Sequence, residues 1–156
     1  LDNLWDGIGG LIATDPTVKY LSGKVTIYST SPEMSRKAMV YYLDMSFGDR
    51  EGLITSKNPE TCTPEQAAFF KEMFTGADYK ENYAILNNYV KSLGDSIPPF
   101  IHLYIGLSPT MKTFGTTFDP DFGDCYDTAM IITTDDIYPD KYKRYVESYE
   151  KCKVRK

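Results

Sequence analysis

Apolar residues recur at helical spacing from the first position. Leu1, Leu4, Ile8 and Leu11, broadened by Trp5 and Ile12, predict an amphipathic helix that Asp15-Pro16 ends, because the residue before a proline is pushed out of helical backbone. No Ser, Thr, Asp or Asn stands before Leu1 to cap that helix, so the expectation is a helix without its beginning. Residues 24–30 (KVTIYST) then alternate, with Val25 and Ile27 on one side, and predict a strand. Ser31-Pro32 opens a second helix, with Met34, Ala38, Tyr41 and Met45 as its inward stripe and Tyr42 beside it.

Residues 48–62 are polar and irregular, the pattern of a surface loop. Thr63-Pro64-Glu65-Gln66 reads as a capping box opening a short helix to about Phe74. Asp78 with Glu81 repeats the signal for a longer helix, whose stripe is Tyr79, Tyr83, Leu86, Val90 and Leu93 and whose stop is Gly94. After Pro98-Pro99, residues 100–107 predict one short helix. Two strands come next, near 112–118 and 126–133, joined by the turn Asp119-Pro120-Asp121-Phe122-Gly123-Asp124. Asp135-Asp136 leads into a final helix with Tyr142, Tyr145, Val146 and Tyr149 inward. Helix, strand, helices, strand, strand, helix is an α/β order, with no internal repeat and no interior domain boundary.

Composition adds a size limit and a charge asymmetry. The 156 residues suffice for one hydrophobic core, and 13 tyrosines supply large side chains with an apolar body and a polar tip. Nothing approaches the roughly 20 apolar residues that span a bilayer. Cys62, Cys125 and Cys152 are three in number and far apart, no framework for disulfides, which points to a reducing cytoplasm. The net charge of −5 conceals a basic end: from Lys141 onward seven basic residues face Glu147 and Glu150. A solvated basic helix end accounts for this, and attraction to an anionic membrane face or an acidic carrier protein is the sharper alternative.

Candidate chemistry is sparse. His102, the lone histidine, has no second ligand or catalytic partner near it in sequence, and no metal site is legible. Asp119, Asp121 and Asp124 resemble a calcium loop only superficially, since the sixth position is Asp124 rather than Gly and the twelfth Met130 rather than Glu; a turn braced by Asp side chains is the better reading. Gly7, Gly9 and Gly10 do not match a phosphate-cradling fingerprint and are read as close packing against a neighbour or a ligand. Acidic charge dominates outside the tail, which argues against nucleic acid. Tyr42, on a helix that directly succeeds a strand, is the ionisable group of most interest, since a tyrosine on that helix's rim could face a cleft; with 13 tyrosines in the chain, core or surface packing is the plain alternative.

Three stretches carry a resemblance. Residues 4–30, with Leu4-Trp5-x-Gly7-Ile8, then Pro16 and Tyr20-Leu21-x-Gly23, are similar to the helix and strand after the cofactor loop in the amino-acid N-acyltransferases that make ornithine and glycine lipids, a hemolysin-like branch of the GNAT superfamily. Ser35-x-x-Ala38-x-x-Tyr41-Tyr42-x-x-x-Ser46-Phe47 resembles the helix after that strand, with Ser35 in place of the usual Asn and Ser46 in place of Gly. Pro98-Pro99, Tyr104, Leu107, Ser108-Pro109-Thr110-Met111, Phe114-Gly115 and the 119–124 turn resemble the C-terminal signature of the branch, and His102 takes a place where relatives tend to carry Lys or Asn.

The resemblance implies the C-terminal half of a GNAT fold, a mixed sheet flanked by helices, with the rest of one domain upstream of Leu1 and no catalysis by this part alone. It implies transfer of a long acyl chain from an acyl carrier protein thioester, or acyl-CoA, as co-substrate to the α-amine of an amino acid, without a permanently bound cofactor, at the cytoplasmic side of an inner membrane. Tyr42 falls on the tyrosine that protonates the leaving thiolate. Tyr104, His102 and Met111 are then expected to bind substrate, and Gly7 and Gly10 to lie against the cofactor. A non-catalytic carrier- or lipid-binding module and a membrane-docking assembly domain are the alternatives of other classes.

Overall fold

The computed structural model describes residues 2–149; Leu1, Cys152 and the basic residues Lys151, Lys153, Arg155 and Lys156 lie outside them. The order is α1 (Asp2–Thr14), β1 (Tyr20–Tyr28), α2 (Glu33–Phe47), α3 (Pro64–Met73), α4 (Tyr79–Ser92), α5 (Pro99–Ile105), β2 (Lys112–Asp119), β3 (Cys125–Thr133) and α6 (Pro139–Tyr142), which runs on as a π-helical turn, Lys143–Glu147. The strands form a three-stranded antiparallel sheet in the order β1-β3-β2. This mixed α/β arrangement is consistent with part of a GNAT-like acyltransferase fold.

The chain groups into two compact units, the first comprising Leu1–Ser22, Leu103–Met111 and Ile131–Lys156, the second Gly23–His102 and Lys112–Met130. In the first, α1 lies against the C-terminal helix so closely that a Cβ on Gly9 would stand 2.1 Å from the Tyr145 carbonyl oxygen. Trp5, buried, meets Tyr104 edge-on with ring centres 5.8 Å apart. Thr134 ties this unit together: its N–H donates to the Lys19 carbonyl at 2.9 Å and its hydroxyl to the Val18 carbonyl at 2.9 Å. In the second unit the core is Val25, Ile27, Ala38, Met39, Leu43, Phe70, Leu86 and Val90, all at most 1% exposed.

Helix ends match the sequence closely. Thr63 and Gln66 form the reciprocal capping box of α3, and Asp78 accepts from the Lys80 and Glu81 N–H groups to open α4. Gly94 takes φ +74° immediately past the end of α4, a left-handed conformation that costs other residues about 1–2 kcal/mol. Asp119 accepts from the Asp121 N–H at 3.1 Å, so the acidic turn is a corner braced by its own side chain, with Gly123 in the left-handed region.

Four expectations are corrected. β1 begins at Tyr20 rather than residue 24, because pairing with β3 extends the ladder through Leu21, Ser22 and Gly23, whose own strand preference is weak. The buried face of α2 is Ser35, Ala38, Met39, Tyr42 and Leu43, while Met34, Tyr41 and Met45 are only partly covered. The helix packs against α3, α4 and β2, so its buried arc is wide and takes in polar residues: the Ser35 hydroxyl donates to Asp95 at 2.6 Å, and the Lys37 ammonium donates to the Thr61 carbonyl at 2.5 Å. In the C-terminal helix Val146 is buried but Tyr142 and Tyr149 are exposed. The π-turn there inserts a residue into the helical repeat and rotates the last turn off the predicted stripe. Leu93, expected inward, is 36% exposed at the C-cap of α4.

Two glycines of α1 should respond oppositely to alanine. Gly9→Ala drives a methyl into backbone and should cost about 2–3 kcal/mol or more, within the overpacking range, whereas Gly7→Ala meets nothing within 4 Å and should gain about 0.5–1 kcal/mol of helix stability. Urea unfolding of the two variants checks this; equal effects would show that α1 does not seat as described.

Candidate functional site

Residues 33–47 form a helix because Pro32 stands at its N-cap and no glycine or proline interrupts it until Gly48. That helix carries Tyr42 into the interior of the second unit, where it is fully buried. The ring lies among Phe47, Phe74 and Tyr83, with centres about 6 Å away in each case (6.1, 5.9 and 6.0 Å). Its hydroxyl donates to the Tyr79 main-chain carbonyl at 2.9 Å, at the start of α4. Burial pushes the phenol far above its ordinary value, and the nearby Ser46 hydroxyl opposes this in part. Tyr42 is therefore held in its neutral, proton-bearing form: a potential donor, and no base.

His102 is drawn to the same place from the other side. It is exposed, and its ring lies on Tyr83 with centres 5.6 Å apart and planes at 35°. Tyr83 thus separates the buried phenol of Tyr42 from the exposed imidazole, and burial raises its own phenol above the ordinary value. Tyr83 entered the sequence reading only as part of a helix stripe; its place between the two candidates depends on how α4 and α5 pack.

Tyr104, Met111, Gly7 and Gly10 belong to the first unit. Tyr104 is half-buried against Trp5, and burial raises its phenol. Met111 is 2% exposed. Gly10 faces the ring of Tyr149, which a Cβ would touch at 3.0 Å, while Gly7 has open space before it. Gly9 and Gly10 therefore serve close packing of α1 on the C-terminal helix.

The second unit also holds a cleft that no motif or spacing signals. It has a volume of about 340 Å³ and lies between α2, residues 59–62 and β2, with Val40, Tyr41, Leu43, Cys62, Ala67 and Thr116 among its walls. Its rim is fixed by charge: the Glu60 carboxylate takes the Lys37 ammonium at 2.7 Å and the Arg36 guanidinium at 3.4 Å. Lys37 is only 9% exposed, a burial that such pairing offsets. Burial raises the Cys62 thiol above its usual range, which makes it a weak nucleophile. Among the described residues no group of three or more His, Cys, Asp or Glu side chains is disposed to hold a metal ion, and no helix is long and apolar enough to cross a membrane.

Comparison with known proteins gives this geometry a context. Over 151 residues, 97% of its length, the chain is 40% identical to a protein of Phocaeicola vulgatus named glycine N(alpha)-acyltransferase. Over 152 residues, 96% of its length, it is 41% identical to a protein of the same name from Bacteroides thetaiotaomicron. It spans less than half of these relatives, 46% and 44% of their lengths. No family model and no solved structure matches. Similarity at this level along nearly the whole chain supports an acyltransferase family.

The buried phenol has a consequence for alkaline stability. Its pKa in the fold is raised above the unfolded value of about 10, so its contribution is fully present below pH 10 and is lost as the pH climbs through the folded value. Tyr42→Phe should lose about 1 kcal/mol with the bond to the Tyr79 carbonyl, yet its stability should fall less steeply than that of the unsubstituted protein above pH 10. Denaturant titrations at rising pH test this, and parallel curves would contradict the burial of the hydroxyl.

Proposed function

We propose that the protein carrying this chain is an N-acyltransferase that moves an acyl group from a thioester to the α-amine of glycine, with acyl carrier protein as the donor. The observation that carries the reading is the 40–41% identity, over nearly the entire chain, to two proteins named for that activity on glycine. The α/β sheet with a tyrosine-bearing helix directly after its first strand agrees with it.

In such a reaction the neutral amine attacks the thioester carbonyl, the C–S bond breaks, and the departing thiolate takes a proton while the nitrogen loses one. Tyr42 is the proton donor in this proposal. A thiol has a pKa of about 8.5 and a free phenol about 10, so transfer from phenol to thiolate is uphill, and more so for a buried phenol. A phenolate among Phe47, Phe74 and Tyr83 would be costly. The proton given up by the nitrogen must therefore restore the phenol in the same event, and Tyr42 acts as a relay that never rests as an anion. Release of its hydroxyl from the Tyr79 carbonyl is the local movement this demands.

The full-length protein should release free thiol and form N-acylglycine in equal amounts from an acyl carrier thioester and glycine; thiol release with no N-acylglycine would sink the reading. Tyr42→Phe should lower kcat by about 10²–10⁴ on that donor, the usual span for general-acid catalysis. The loss should shrink markedly on donors whose leaving thiol is more acidic and needs no proton. A loss of the same size on both kinds of donor would instead assign Tyr42 a purely structural part.

A further inference from the structure

We infer that the cleft between α2, residues 59–62 and β2 holds the hydrocarbon tail of the acyl group and sets the chain length that is transferred. This rests on the reading of the protein as an N-acyltransferase, and it concerns a cavity that the similarity to glycine acyltransferases does not itself assign.

Size separates the two substrates. The cleft measures about 340 Å³, within the roughly 300–1,000 Å³ of ligand pockets. Glycine would fill the space of only about two to three waters, at roughly 30 Å³ each. An acceptor that small would be loosely held there, whereas an extended alkyl chain fills such a space.

The chemistry of the walls agrees. Val40, Leu43, Ala67 and the ring of Tyr41 give the cleft an apolar side. Four threonines also line it; Thr61 is exposed, and the other three, Thr113, Thr116 and Thr128, are at most 2% exposed with their hydroxyls satisfied within the protein. Thr113 donates to the Leu43 carbonyl at 3.3 Å, and Thr116 and Thr128 bond to each other at 2.6 Å. The surface these three leave for a ligand is chiefly methyl. Among the described residues no buried side-chain nitrogen or oxygen lacks a partner, so the wall presents no buried polar group that a polar ligand would have to satisfy. Of the two carboxylates on the lining, Glu60 is held by Lys37 and Arg36, and Asp44 is paired with Arg50 at 3.8 Å.

The cleft also adjoins an outlet of mixed character, with Ile54 and Phe114 beside its polar groups. A second cavity of about 200 Å³ shares Asp44, Pro59, Thr113 and Gly115 with it and continues to Asp49, Thr55 and Ser56 under the loop after α2. That loop is built rather than loose: the Asp49 carboxylate accepts from the Glu51 and Leu53 N–H groups at 3.0 and 2.5 Å, and the Glu60 N–H donates to the Thr116 carbonyl at 2.7 Å. A mainly apolar chamber that opens through a strapped passage with polar groups suits a molecule with an alkyl tail and a polar head. Val40 and Ala67, on the apolar side of the lining, would then limit how far the chain extends.

Two measurements on the full-length protein test this. With glycine and a series of saturated acyl donors, kcat/KM should rise by about fourfold per methylene, the equivalent of ~0.8 kcal/mol each, and then level off when the cleft is full. Ala67→Leu, a substitution on a half-exposed helical position that favours the helix, should move that break to shorter chains while the far-UV circular dichroism stays that of the unsubstituted protein. An unmoved break in the folded variant overturns the cleft assignment and leaves glycine acylation standing. Independently of turnover, a saturated fatty acid should slow maleimide labelling of Cys62, read by peptide mass mapping, and glycine should not. Protection by glycine in place of the fatty acid overturns the proposal. Protection by the fatty acid in a protein that makes no N-acylglycine supports the cleft and refutes the transferase reading.

Discussion

β3 comes last among the strands and lies in the middle of the sheet, so both other strands depend on it for their hydrogen bonds. The pairing is also fixed by charge. Asp127 of β3 is 8% exposed, and its two oxygens are taken by the Lys24 ammonium at 2.5 Å and the Thr26 hydroxyl at 2.6 Å, 103 and 101 residues away in sequence. A buried carboxylate tolerates no loss of partners, and a slip of one residue would turn Asp127 to the other face. Register, sheet order and the placement of β2 therefore hang on contacts that form only after the loop between β1 and β3 has closed. Such closure is slow rather than forbidding, since its entropy grows only with the logarithm of loop length.

α2 divides the space above that sheet. One side of the helix delivers Tyr42 into an aromatic cluster with Phe47, Phe74 and Tyr83. Val40, Tyr41, Leu43 and Asp44 line the cleft. A helix used on so much of its circumference cannot obey a simple amphipathic stripe, and it buries Ser35 and Lys37 with partners of their own. In the proposed reaction, one helix would then position both the proton donor and the tail of the acyl group, so that chain length and chemistry are set by the same rigid element.

The segment between α2 and α3 completes this arrangement. Its two ends are bridged to β2, at Gly48 with Thr113 and at Pro59 with Thr117. The bridges cover part of the β2 edge, which would otherwise offer unpaired backbone groups to other chains. They also hold the strap that roofs the cleft. A polar, irregular sequence of this kind looks dispensable until its backbone is seen paired to a strand more than fifty residues later.

Sequence by itself determined the local features: the capping box at Thr63 and Gln66, the Asp78 cap, the stop at Gly94, the hairpin strands on either side of the acidic turn, and the burial of Val25 and Ile27. These rest on residues within one or two turns of each other, where backbone preference and short side-chain bonds dominate. The order of predicted elements indicated the α/β class, and the resemblance in motifs suggested the role proposed for Tyr42. Only the tertiary structure decided which side of α2 is buried, that β1 reaches back to Tyr20, that Tyr83 stands between Tyr42 and His102, and that Glu60, Cys62, Ala67, Thr113, Thr116 and Thr128 enclose one cleft. No periodicity records these, because each depends on side chains meeting across long stretches of chain, and burial there is set by the elements the fold brings opposite rather than by the residue's own neighbours.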